Sequence, residues 1–94
     1  MRKVTVSRPQ KIQLPFSKGK ILIDEKECEI VKAGKTATFE VDDGNYSIQV
    51  VFAAAPPVSS NILYIDQSEG DVEFEVKINV PLKNQETTAE LTKK

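Results

Sequence analysis

Histidine does not occur in these 94 residues, cysteine occurs once and tryptophan not at all. Without histidine the chain lacks the commonest general base, the commonest metal ligand and the usual partner of a catalytic serine or cysteine. One cysteine, Cys28, makes no internal disulfide and anchors no zinc site by itself. No run approaches the ~18 consecutive apolar residues that suggest a membrane span. The opening Met1-Arg2-Lys3-Val4 is basic but has no apolar stretch behind it. No signal peptide is therefore expected, and a cytoplasmic protein is. Neither a catalytic residue, nor a cofactor, nor a metal is expected.

What is present suits one small all-β domain. A chain of this length buries roughly 60–70% of its unfolded surface, enough for one core. The dominant period is two. Val72, Phe74, Val76, Ile78 and Val80 alternate with Glu73, Glu75, Lys77 and Asn79, as in a strand with one buried and one wet face. Tyr46, Ile48, Val50 and Phe52 repeat the pattern, as do Ala37, Phe39 and Val41. Between these two runs lies Asp42-Asp43-Gly44-Asn45. Asp-Gly is a favoured two-residue hairpin turn, because both central positions need φ > 0. With Asp43-Gly44 at the tip, Val41 pairs with Tyr46, Phe39 with Ile48 and Ala37 with Val50.

Shorter strands are expected around Val4 and Val6, Ile21 and Ile23, Cys28 to Val31, and Ile62 to Ile65. Ile12, Leu14 and Phe16 alternate too, but Pro9 and Pro15 confine them to an edge or an extended loop. The sum is an antiparallel β-sandwich of about seven strands and immunoglobulin-like size, over residues 1–80. Residues 81–94 read as a polar C-terminal tail, frayed or partly helical.

Several motifs dissolve on inspection. Gly34-Lys35-Thr36 ends like a phosphate-binding loop, but Glu29 stands where its first glycine belongs and a strand follows, not a helix. A tight turn accounts for it. In a calcium-loop register, Asp42-Asp43-Gly44 would put Phe39 and Val50 at ligand positions. Asp24, Glu25, Glu27 and Glu29 read as a solvated turn. Asn45-Tyr46-Ser47 matches a glycosylation sequon that would need secretion. Cys28 sits between Glu27 and Glu29, and a semi-buried structural cysteine is expected.

Two surfaces remain. Ala53-Ala54-Ala55-Pro56-Pro57-Val58 is uncharged and apolar, and Pro-Pro stiffens it. It is the candidate contact surface for another chain. Residues 1–20 carry Arg2, Lys3, Arg8, Lys11, Lys18 and Lys20 and no acid, while all 14 acids follow. A basic first strand can pair with an acidic neighbour in the sheet, or Arg2, Lys3 and Arg8 can face an acidic partner.

The order of motifs resembles small bacterial β-sandwich domains of the PEGA type. Ile23-Asp24, Gly34, Phe39, Asp43-Gly44, Tyr46, Ser60-Asn61, Glu69-Gly70 and Phe74-Glu75-Val76 carry the likeness, over residues 20–78. Glu25 replaces a glycine of that pattern, and Asp43 a proline. The resemblance implies a sandwich fold and an accessory or binding role, with no catalytic residue to carry over. The expected function is a non-catalytic interaction module that meets a protein partner, or its own copy, through Ala53–Val58 and the basic N-terminal strand. The alternatives are a small carbohydrate-binding module and a weak electrostatic nucleic-acid binder, the latter disfavoured by the scarcity of aromatics beside the basic residues.

Overall fold

The computed structural model describes residues 1–9, 18–32, 34–53, 57–79 and 87–94. Among them there are nine strands and no helix. They are β1 (Arg2–Ser7), β2 (Lys18–Ile23), β3 (Lys26–Lys32), β4 (Thr36–Val41), β5 (Tyr46–Phe52), β6 (Val58–Ser59), β7 (Leu63–Ile65), β8 (Val72–Asn79) and β9 (Thr88–Lys93). The first sheet has the order β4-β1-β8-β9. The second has the order β3-β2-β5, and both β6 and β7 pair with β5. The fold is all-β and sandwich-like. It is not wholly antiparallel, because β1 and β8 run parallel.

Alternation explains which residues meet between the sheets. Val72, Phe74, Val76 and Ile78 of β8 are buried, as are Ile48, Val50 and Phe52 of β5 and Val4 and Val6 of β1. Each fully buried side chain of this size contributes about 1.5–3 kcal/mol relative to exposure. Gly19 of β2 lies opposite Phe52, and a Cβ there would come within 2.8 Å of the Phe52 ring and 2.9 Å of Val50. The glycine is what lets that ring lie close against β2.

The expected β4–β5 hairpin does not form. β4 pairs with β1 in the first sheet, and β5 with β2 in the second, so residues 42–45 cross from sheet to sheet. The inward residues of both strands do share the core, but from opposite sides of it. The backbone gives the reason. Neither Asp43 nor Gly44 takes the positive φ of a two-residue hairpin turn. The two positions that do are Asp24 (φ 51°) and Glu25 (φ 69°). They form the tip of the β2–β3 hairpin, where Ile23 faces Lys26. Gly34, with φ 71°, occupies the turn between β3 and β4, and Lys35 donates its amide to the Lys32 carbonyl at 3.0 Å.

The tail expectation is corrected over residues 88–93, which form β9 antiparallel to β8. Leu91 faces Val76 in this pairing and is buried among the core residues. Residues 81–86 and Val80 lie outside the described residues, as do Ile12, Leu14 and Phe16. Cys28 is exposed rather than semi-buried. The β2–β3 register passes from Ile21–Glu29 to Leu22–Glu27, so Cys28 is the extra residue of a bulge on an edge strand.

Side chains tie the layers together. The Asn61 carboxamide donates to the Leu91 carbonyl at 3.0 Å and accepts from the Leu91 amide at 2.7 Å. One side chain thus supplies the pairing of a further strand to β9. The buried Ser60 hydroxyl accepts the Val50 amide at 2.9 Å and donates to the Asn61 carbonyl at 2.8 Å.

Candidate functional site

The outward face of the second sheet carries a groove of about 860 Å³. Parity puts its floor there. Ile21 and Ile23 point to the core, so Leu22 between them points out. Ile65 is buried, so Tyr64 is turned outward, opposite Ser47. Tyr64 is 75% exposed and Ile62 48%. Ser47 and Gln49 of β5 lie between these apolar groups, and Asp24, Glu25, Asn45 and Asp66 form the polar end.

The polar end is well held. Asp24 accepts the Ser47 amide at 2.9 Å and the Ser47 hydroxyl at 3.4 Å, while the Asp24 amide donates to the Ser47 carbonyl at 3.1 Å. Asn45 accepts the Gln67 amide at 2.7 Å, joining the β4–β5 and β7–β8 connections. Gln49 donates to the Ser60 carbonyl at 2.9 Å. The Asp66 carboxyl is held below its ordinary range, chiefly by the Ser68 amide and then by the Ser68 hydroxyl. Desolvation opposes this, and the charges of Arg2 and Lys93 lower it further.

Arg2 reaches this end from within. Its guanidinium donates to the carbonyls of Asp66 at 2.7 Å, Glu69 at 2.8 Å and Gly44, and lies 5.6 Å from the centre of the Tyr46 ring. A planar, permanently charged fork suits three convergent carbonyls. Arg2 thereby pins both connections that border the groove, while its Nε is buried with no partner among the described residues.

The two arginines of the expected basic face are therefore not on the surface. Arg2 and Arg8 are 2% and 1% exposed. Arg2, Val4, Val6 and Arg8 share the inward parity of β1 and its continuation, so the arginines close the two ends of the core. Arg8 lies 4.7 Å from the Phe52 ring centre and donates to the Val31 carbonyl at 3.3 Å, and its burial pushes the guanidinium pKa down. Lys3 is exposed and stands opposite Glu40 of β4, the one cross-strand charge pair of the expected kind that β1 makes with β4. Lys18 and Lys20 belong to the other sheet, so they share no face with Lys3, and Lys11 lies outside the described residues.

Of the apolar loop, Ala53 and Pro57 are exposed. Val58 is half-buried in β6, paired with Phe52 and packed on the core, and so is not a free contact residue. Ala54, Ala55 and Pro56 lie outside the described residues. Neither Arg2, Arg8 nor any described residue of 53–58 lines the groove.

The groove escaped the sequence reading, though two signs of it were present. Ile21-Leu22-Ile23 and Leu63-Tyr64-Ile65 are apolar triplets in which strand alternation must expose the middle residue. As for chemistry, the site offers an aromatic face, an apolar shelf and hydrogen-bonding carboxylates. Among the described residues no group of three or more acids or cysteines could hold a metal ion. No helix among them is long and apolar enough to cross a membrane. No protein-family model, curated protein or solved structure matches the chain.

Proposed function

We propose that this chain is a non-catalytic binding module, a PEGA-like sandwich, that takes a protein partner in the groove of its second sheet rather than on the 53–58 loop. The observation that carries the reading is the pair of exposed apolar groups, Tyr64 at 75% and Ile62 at 48%, lining one concave surface with Leu22. A large aromatic held in the open on a rigid sheet is the kind of anchor that dominates interfaces. The PEGA-like assignment is supported by where its motif residues lie. Asp24 and Gly34 sit in turns, and Ser60 and Asn61 join β5 to β9.

The test is retention of proteins from the host lysate by the wild type and by Tyr64→Ser and Ala53→Asp. A protein held by the wild type and by Ala53→Asp but lost by Tyr64→Ser is the expected result. Loss through Ala53→Asp alone returns the site to the 53–58 loop. The exposure of Tyr64 makes its replacement tolerable to the fold, which circular dichroism checks.

A second reading, a carbohydrate-binding module, draws on the same ring, since an exposed tyrosine flanked by Asp24, Gln49 and Asp66 can stack on a sugar and bond its hydroxyls. Titration of tyrosine fluorescence with neutral oligosaccharides tests it. Unchanged emission through millimolar sugar removes that reading.

A further inference from the structure

The groove is charged on one side only. Asp24, Glu25 and Asp66 line it, and among the described residues no lysine or arginine does. Asp66 already feels Arg2 and Lys93. Asp24 and Glu25 make no ion pair among the described residues, where the pairs formed involve Glu69 and Glu75. The uncompensated charge therefore lies at the β2–β3 turn, beside the apolar floor of Leu22, Ile62 and Tyr64. An ammonium or guanidinium group finds carboxylates there and an aromatic face, while a neighbouring apolar side chain finds the floor.

The edge of the sheet adds direction. Ser47 turns its amide and carbonyl towards the β2–β3 turn, where the Asp24 side chain and amide take them up. Tyr64 stands opposite Ser47 on β7, so ladder alternation makes theirs the non-hydrogen-bonded pair. The Tyr64 amide and carbonyl therefore point off the edge of a three-residue strand that pairs with no strand but β5 among the described residues. An extended segment can add a rung at this point.

We propose that the groove takes an extended peptide segment of a partner protein in which arginine or lysine stands two positions from an apolar residue, so that both side chains face the groove. The inference rests on the groove being the binding site and names the chemistry of its occupant. Polyanions and acidic peptides meet the wrong sign of charge at Asp24 and Glu25. A neutral peptide keeps the floor and the edge but loses the carboxylates.

The full chain, labelled with nitrogen-15, is titrated with three capped hexapeptides in which every second residue is serine and the others are, in order, leucine, then arginine, serine or glutamate, then leucine, so that the leucines and the variable residue share one face. The arginine peptide is expected to move the amide resonances of Leu22, Ser47, Gln49 and Tyr64, and the glutamate peptide to leave them in place. Glu25→Gln should weaken the arginine peptide by about two- to fivefold, the range of a surface ion pair. Tyr64→Ala should weaken it by about tenfold through loss of the ring. The spectra of the unliganded variants show whether the fold survives. Binding of the serine or glutamate peptide in the same groove as tightly as the arginine peptide overturns the cationic assignment and leaves the groove in place. Shifts confined to other surfaces, or none with any peptide, overturn the groove as well.

Discussion

Replacing Glu25 by glycine should make the protein more stable and a poorer binder. Asp24 and Glu25 form a two-residue turn with φ of 51° and 69°. Left-handed backbone costs a residue with a Cβ roughly 1–2 kcal/mol. Aspartate tolerates that region better than glutamate, because its short side chain bonds locally, and here Asp24 accepts from the amide and hydroxyl of Ser47. The strain therefore concentrates at Glu25. Glycine removes it but returns about 0.5–1 kcal/mol through the freer unfolded chain. The net gain expected is about 0.5–1 kcal/mol, or a Tm rise of about 2–8 °C for a domain of this size. Urea denaturation reads it as a higher midpoint at unchanged slope. Asp24→Gly is the contrast, since it relieves strain but forfeits both bonds to Ser47, and its midpoint should not rise. The control is Gly44→Ala. Gly44 is not left-handed, and an added Cβ would meet the Tyr46 ring at an ordinary 3.5 Å, so the change should cost no more than about 0.5 kcal/mol. A lower midpoint for Glu25→Gly, or a loss of about 1–2 kcal/mol for Gly44→Ala, would return the tight turn to residues 43–44 and refute this assignment.

Asn61→Ala removes both bonds to Leu91 and leaves that strand edge unsatisfied, so a loss of about 1–3 kcal/mol and faster hydrogen exchange at the Leu91 amide are expected. Asn61→Asp should be no better, because a carboxylate cannot donate to the Leu91 carbonyl. Gly19→Ala should cost about 1–3 kcal/mol, since its Cβ overlaps Phe52 and Val50, and Phe52→Leu in the same chain should relieve part of that loss. The Asp66 carboxyl lies below its ordinary value near 3.8, so its stabilising effect is fully present above that value and is lost as the pH falls through the lower folded-state pKa. The midpoint difference between the wild type and Asp66→Asn should accordingly shrink below about pH 4 and stay constant above pH 6.

Burial was legible wherever one face of a strand is apolar and the other wet. Val72 to Ile78 and Ile48 to Phe52 sit in the core as the alternation requires. Pairing was not legible, because alternation states which face is buried and not which neighbour is bonded. β4 and β5 present the same inward residues to one core whether they are adjacent in a sheet or cross between two. Turn chemistry was the remaining guide, and it favoured Asp43-Gly44 over Asp24-Glu25 because glycine is the usual bearer of positive φ. The β9 strand was hidden for a different reason. Thr88 to Lys93 has one buried apolar residue, Leu91, and its edge is satisfied by a side chain 30 positions earlier.

The site divides along the same line. Its floor needed only local parity, since an apolar residue between two inward isoleucines, or between Leu63 and Ile65, has nowhere to go but out. Its acidic end needed the topology. Asn45 and Asp66 reach Asp24 and Glu25 only because residues 42–45 cross between the sheets and because Arg2 draws the carbonyls of Gly44, Asp66 and Glu69 to one point. Parity also contained the role of Arg2. With Val4 and Val6 in the core, Arg2 and Arg8 must point the same way, and a charge-count reading of residues 1–20 sets that geometry aside. A buried arginine holds its place where backbone carbonyls converge on it. At Arg2 they converge from the two connections that shape the groove, so a residue whose charge suggests a contact surface shapes the candidate site from inside the core.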